Sequence, residues 1–395
     1  MEQRARVSEY LYKIASEIGS RRVGTKACKK TAEFINSVFQ ECGYKINFFK
    51  IPFISWESDK AEVTCDNNVI SGFANIYSPS GTGAGKAIVI RNIYELEKSD
   101  IRGKVCIFTD ELTEEVLYLG DTPFQSGRDA KVQELLDYQV PAAIITINPQ
   151  NNSVLPYMEN YRGAPSLTVS KIHEQKVLQL EHKIVQVYVS SFSEDSMTGN
   201  VIAKTPEAKK KIVISAHYDT AEGSPGAWDN GSGVTALLEL AKRFQSKELK
   251  VQIEFAAMCP HETGYPGSVT YTGTEQAELG KVILNINIDG IGAAEGIDTI
   301  TSDNLPAWMN HIIGKKLLNY EEIRADGVIQ VEGDHFAYTW NDVPAILFTS
   351  AGDFSIHHES IDSLCNINID KISRIVDFIE EIIDEMSASI SGGII

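Results

Sequence analysis

No stretch of the 395-residue chain approaches the length of a membrane-spanning helix, and the longest apolar runs are only strand-length. The opening residues, MEQRARVSEYLYKIASEIG, form a charged amphipathic pattern without the apolar core of a signal peptide. Cysteine is sparse: the six (Cys28, Cys42, Cys65, Cys106, Cys259 and Cys365) are scattered with no CxxC pair, which argues against a disulfide framework or a thiolate metal site. A cytoplasmic protein with reduced thiols is expected. Basic residues are also in deficit, 36 Lys and Arg against 54 Asp and Glu, for a formal charge of -18. Such a surface repels phosphate backbones and anionic headgroups, so neither nucleic acid nor membrane is expected as a partner. The glycines of SPSGTGAGK lack the Lys-Ser/Thr ending and helix context of a phosphate-binding loop.

What is present is ordinary globular material, 43% apolar and 23% charged. Two helical patterns, VSEYLYKIASEI and KKTAEFINSVFQECG, precede a strand-like YKINFFKIPF. Residues 57–190 then change texture: short β-type runs (AEVTC, KAIVI, GKVCIFT, AAIITI, SLTVS, KIVQVYVS) alternate with turns and one helix, DAKVQELLDYQ. From about residue 195, strands alternate with helices: IVISAH, GVTALLELAKRF, VQIEFAAM, VILNINID, PAWMNHIIGKKLL, VPAILFTS and DKISRIVDFIEEIIDEM. That order predicts an α/β fold, a mixed central sheet with helices on both faces, plus a mostly β inserted domain. The expected division is a catalytic domain over 1–56 and 191–395, interrupted by the insert at 57–190.

Polar residues capable of binding metal collect at the expected strand ends. His217 closes IVISAH, Asp289 closes VILNINID, and Glu262 follows VQIEFAAM. Ligands of open α/β sheets bind outside the carboxyl ends of the strands. Imidazole and carboxylate without thiolate suit Zn²⁺, and Co²⁺ or Mn²⁺ fit the same donor set. Asp219, two residues after His217, is placed to orient that imidazole or to stabilise the loop around it.

With these residues the chain resembles the co-catalytic zinc aminopeptidases related to aminopeptidase Y, bacterial leucyl aminopeptidase and glutamate carboxypeptidase II. The matching segments are His217-Tyr-Asp219-Thr, GSPGAWDNGSG with Asp229, HETGYPGS with Glu262, NINIDGIG, GDHFAYTWNDVPAI and HHESIDSL with His358. The likeness covers 195–395 and extends weakly to RRVGTKACKKTAEFI. In the insert, GKVCIF and VQELLDYQVPAAIITI resemble a protease-associated domain. The resemblance implies a zinc exopeptidase fold and two Zn²⁺ ions. His217, Asp229 and Asp289 would hold one; Asp229, Glu262 and His358 would hold the other, with Asp229 bridging. It also implies hydrolysis of an N-terminal peptide bond, with a peptide or small amide as substrate. The oligomeric state is left open.

Two positions depart from the family pattern. Its general-base glutamate is replaced by His261, and the tyrosine that many members carry before the last ligand is replaced by His357. Three readings of His261 stand: an acid/base that shuttles the proton, a further metal ligand, or a residue of a weak or silent site. His357 is read as a hydrogen-bond donor to the developing oxyanion. Other amide-hydrolase or cyclase chemistry on this scaffold, and a metal-binding but silent family member, are the alternative functions. Asp334 and His335 resemble a segment near the cleft, with a structural hydrogen bond as the competing reading. Cys259 reads as a buried strand-end thiol.

Overall fold

The computed structural model describes residues 2–120, 125–150, 156–326, 333–352 and 355–391. The chain divides into two compact units, residues 1–53 with 197–395, and residues 54–196.

The first unit is built on five long-range strands: β1 (Lys211–His217), β2 (Gln252–Met258), β3 (Val282–Ile288), β4 (Ile297–Asp303) and β5 (Ala345–Ala351). β1 lies parallel between β2 and β3, and β3 pairs in parallel with β5. Antiparallel partners flank these four: β4 beside β5, and the end of Ile184–Lys204 beside β2. Every residue of β1 and β2 is buried. Strands covered on both faces read as continuous apolar runs, which is why IVISA and IEFAAM carry no period-two alternation.

Helices α1 (Glu2–Tyr12), α2 (Lys26–Glu41), α3 (Gly233–Phe244), α4 (Ala307–Leu317) and α5 (Ile369–Ser391) belong to this unit. The core joins Leu11, Ile35 and Phe39 from the first two to Leu237, Leu240 and Phe244 of α3. The same core takes Ile375, Ile379 and Ile383 of α5 and strand residues such as Ile214, Phe255 and Phe348. Thr25 caps α2 by accepting a hydrogen bond from the Cys28 amide. Gly233 opens α3 where a Cβ would stand 2.4 Å from the carbonyl oxygen of Ile288, so only glycine lets the helix approach β3 this closely.

The second unit carries a parallel run in the order Gly81–Ile90, Val105–Phe108, Ala143–Ile147, Ser166–Val169. Alternation along Val105–Phe108 sends Val105 and Ile107 into one apolar core and Cys106 and Phe108 into another. Its longest helix, Gly127–Tyr138, begins with a reciprocal capping box between Ser126 and Asp129. Among the described residues, no helix is long and apolar enough to cross a membrane.

Candidate metal centre

Parallel neighbours end side by side, so β1 and β3 deliver His217 and Asp289 to the same place. Nε2 of His217 lies 3.1 Å from Oδ1 of Asp289 and 3.1 Å from Oδ1 of Asp229. Asp229 arrives from the turn that opens α3. Its backbone amide and that of Trp228 donate to the carboxylate of Asp362, at 3.0 and 2.7 Å. Burial, against these two hydrogen bonds, raises the Asp362 pKa to about 7.

The other carboxylate oxygen of Asp229 faces a second group. Its Oδ2 lies 3.3 Å from Nε2 of His358 and 3.2 Å from Nε2 of His357. His358 also reaches Oε2 of Glu262, at 3.0 Å. Thus Asp229 presents one oxygen to His217 and Asp289 and the other to His358 and Glu262. His358 has a φ of 59°, a left-handed backbone conformation in the turn that carries it to this point. His357 is the more exposed of the pair, and its ring meets the indole of Trp228 edge-on.

The donor chemistry fits divalent cations. Nδ1 of His217 lies 3.1 Å from the main-chain oxygen of Asp219, which can only accept, so the ring hydrogen sits there. In the neutral ring Nε2 then aims a lone pair at two carboxylate oxygens, an arrangement that needs a positive charge between them. Oε1 of Glu262 is buried with no hydrogen-bond partner among the described residues, another acceptor suited to a cation. The donor atoms of His217, Asp229 and Glu262 lie within 4.8 Å of one another, as do those of Asp229, His357 and His358, and those of His217, His261 and Asp289.

Electrostatics agree. Burial disfavours the His217 imidazolium, yet Asp289 and Asp229 outweigh it and hold the pKa well above the ordinary histidine value. Burial likewise opposes charge on His358, and Glu262 and Asp229 overcome it. A divalent cation takes the place of such protons with twice the charge.

Asp219 does two jobs with two different groups. Its carbonyl oxygen anchors His217, while its fully buried carboxylate accepts from the His261 amide at 3.0 Å and the Glu262 amide at 3.3 Å. It therefore ties the His217 strand end to the 261–262 turn. Burial raises its pKa, against the neighbouring His217.

His261 is buried and stacks on His217, with ring centroids 3.6 Å apart. Its Nδ1 lies 3.0 Å from Oδ2 of Asp334, and its Nε2 lies 3.7 Å from Oδ2 of Asp289. Burial and His217 act against protonating it, while Asp334 and Asp289 raise its pKa; cations alongside act in the opposite direction.

All eight residues expected from the sequence thus meet in one cluster. Two neighbours were not among them. Asp334 had a family segment as its signal but no indication of its partner. Arg21 is fully buried and donates to the main-chain oxygens of Tyr218, Pro225 and Gly226, at 2.7, 2.7 and 2.8 Å. It clamps the loop between His217 and Asp229, and burial lowers its pKa to about 10. Cys259 is buried, 3.7 Å from the sulfur of Cys28. Beside the cluster, a cavity of about 200 Å³ is lined by residues including Trp228, Ala293, Gly296, Ser350 and Ile356.

Known proteins share this framework. The chain is 24% identical to aminopeptidase YwaD of Bacillus subtilis over 346 residues, 82% of this chain and 71% of that one. It is 27% identical over 291 residues to a probable leucine aminopeptidase 2 of Aspergillus oryzae, 69% of this chain; the match spans only 55% of the fungal protein. The fold is similar to that of BSAP, a zinc aminopeptidase from Bacillus subtilis, with a TM-score of 0.79 and 19% identity over 97% of this chain and 95% of that one. It is also similar to that of a Porphyromonas gingivalis glutaminyl cyclase, with a TM-score of 0.52 and 14% identity over 97% and 98% of the two chains. Residues 200–383, which hold every residue of the cluster, match the model of peptidase family M28.

Proposed function

We propose that the protein is a metal-dependent exopeptidase of aminopeptidase type that removes N-terminal residues with a pair of zinc ions, Co²⁺ or Mn²⁺ being able to replace them. The observation that carries this reading is the division of Asp229, one carboxylate oxygen toward His217 and Asp289 and the other toward His358 and Glu262. A bridging carboxylate between two ligand sets has this form. When bound, the cations supply Lewis-acid chemistry, polarising the scissile carbonyl and making water a nucleophile near neutral pH. The names of the relatives, both aminopeptidases, support the substrate class.

In this reading His261 replaces the family glutamate. Its Nε2 takes a proton from the attacking water and delivers it to the leaving amine nitrogen as the carbon–nitrogen bond breaks. His357, exposed above Asp229, donates to the developing oxyanion. The cavity beside Trp228 takes the side chain of the N-terminal residue. Residues 1–56 with 191–395 form the catalytic domain, and 57–190 form a protease-associated-like insert.

A second reading has a specific support: the donor atoms of His261, His217 and Asp289 converge closely enough to share an ion, which would make His261 a ligand. One variant separates the two. His261→Ala, assayed on aminoacyl-anilides and dipeptides, is expected to lose about 10²–10⁴-fold in kcat while both metals remain. Loss of a metal from that variant would establish the ligand role instead. Full activity would remove His261 from the mechanism.

A further inference from the structure

We propose that Asp334 is a positioning residue that fixes the tautomer of His261, holding the hydrogen on Nδ1 and leaving Nε2 as an acceptor turned toward the ligand cluster. The inference rests on the reading of His261 as the proton shuttle.

The argument is one of donors and acceptors. Asp334 is fully buried, as is Ser268. Oδ1 of Asp334 is occupied by the Ser268 hydroxyl at 2.5 Å, and Oδ2 faces Nδ1 of His261 at 3.0 Å. An ionised carboxylate only accepts, so Ser268 donates to one oxygen and the Nδ1–H of His261 donates to the other. A neutral imidazole carries one hydrogen, and Asp334 has claimed it for Nδ1. Nε2 is left with its lone pair. It sits 3.7 Å from Oδ2 of Asp289, beyond hydrogen-bond reach, so among the described residues no acceptor draws the hydrogen to that side.

The ring cannot turn to escape this choice. One face lies on His217, and the ring forms a T-shaped pair with Tyr265, centroids 4.7 Å apart, while the His261 amide is held by Asp219. A base that accepts a proton from water needs this tautomer; the other would present an N–H to the water and could only donate. Packing alone would hold the ring in the same plane with either tautomer. The carboxylate distinguishes them.

Asp334→Asn tests this. Ser268 keeps its hydroxyl donated to the amide oxygen, so the amide NH₂ turns to Nδ1 of His261 and drives the ring hydrogen to Nε2. Long-range ¹H–¹⁵N correlation spectra of ¹⁵N-histidine-labelled, zinc-loaded protein read the tautomer, the His261 signals being those missing from His261→Ala. The parent is expected to show Nδ1 protonated and Nε2 bare. Asp334→Asn is expected to show the reverse, with kcat lower by about 10²-fold or more and KM within about threefold. Ser268→Ala, which keeps the carboxylate, is expected to retain the parent tautomer and serves if the asparagine variant does not fold. A parent spectrum with the hydrogen on Nε2, an Asp334→Asn protein with unchanged tautomer, or a Ser268→Ala protein with the reversed one would overturn the role of Asp334, whatever His261→Ala does. Full activity of His261→Ala would overturn the shuttle reading instead, whatever the tautomer.

Discussion

The imidazole of His261 lies flat on that of His217, with ring planes 5° apart. Both rings direct Nε2 toward Asp289, at 3.7 and 3.1 Å, and both anchor Nδ1 on the far side, to Asp334 and to the main-chain oxygen of Asp219. Two histidines in nearly the same pose are thus assigned different work. What separates them is the second carboxylate: His217 also touches Asp229, and His261 does not make that contact.

Metal binding should expose the difference. His217→Ala is expected to lose one of two zinc ions, and His358→Ala the other. Asp229→Ala should weaken both because each ligand set uses one of its oxygens. His261→Ala should bind zinc as the parent does. Isothermal titration of the metal-free proteins with zinc reads all four. Equal zinc binding by His217→Ala and the parent would refute the assignment.

Arg21 links the N-terminal segment to the loop that separates two ligands. Arg21→Met keeps the apolar stem but strands the buried carbonyl oxygens of Tyr218 and Gly226 and the part-buried one of Pro225. A loss of about 3 kcal/mol in unfolding free energy is expected, since each buried group left unpaired costs about 1–3 kcal/mol. Zinc affinity should fall with it, because His217 and Asp229 bracket the freed loop. Denaturant melts of the metal-free protein check the first expectation; unchanged midpoints would contradict it.

Much of this site could be read from the sequence because chemistry and position coincide there. His217 and Asp289 close apolar runs at the carboxyl ends of parallel strands, where the ligands of open α/β sheets bind. Asp334 was harder to place. It lies 73 residues from His261 in sequence, in a stretch without helical or strand periodicity, so only the fold brings the two together. Asp219 shows a different limit. Its spacing from His217 suggested a carboxylate that orients the imidazole or stabilises the loop around it; the main-chain oxygen meets the imidazole, and the carboxylate holds the 261–262 turn. Spacing cannot tell which of a residue's acceptors is used. Arg21 gave no signal, since its partners are backbone oxygens and carry no residue-type pattern. The helices and central strands were legible from apolar periodicity and run length alone.

The cavity beside Trp228 offers a test of specificity. Ala293 lines it, and Ala293→Leu narrows the space by a few methylene groups. For substrates with a bulky N-terminal side chain, kcat/KM is expected to fall by about tenfold or more, with glycyl and alanyl substrates little changed. Steady-state kinetics on a matched series of aminoacyl-anilides measures this. A uniform loss across the series would show that the cavity does not receive the side chain.

The most direct measurement is release of the N-terminal residue from a short peptide with a free amine, followed before chelation, after chelation and after return of zinc. The account predicts release by the zinc-loaded protein, its abolition by chelator and its recovery with zinc. Absence of release from every peptide by fully loaded protein, or release that chelator leaves untouched, would contradict it.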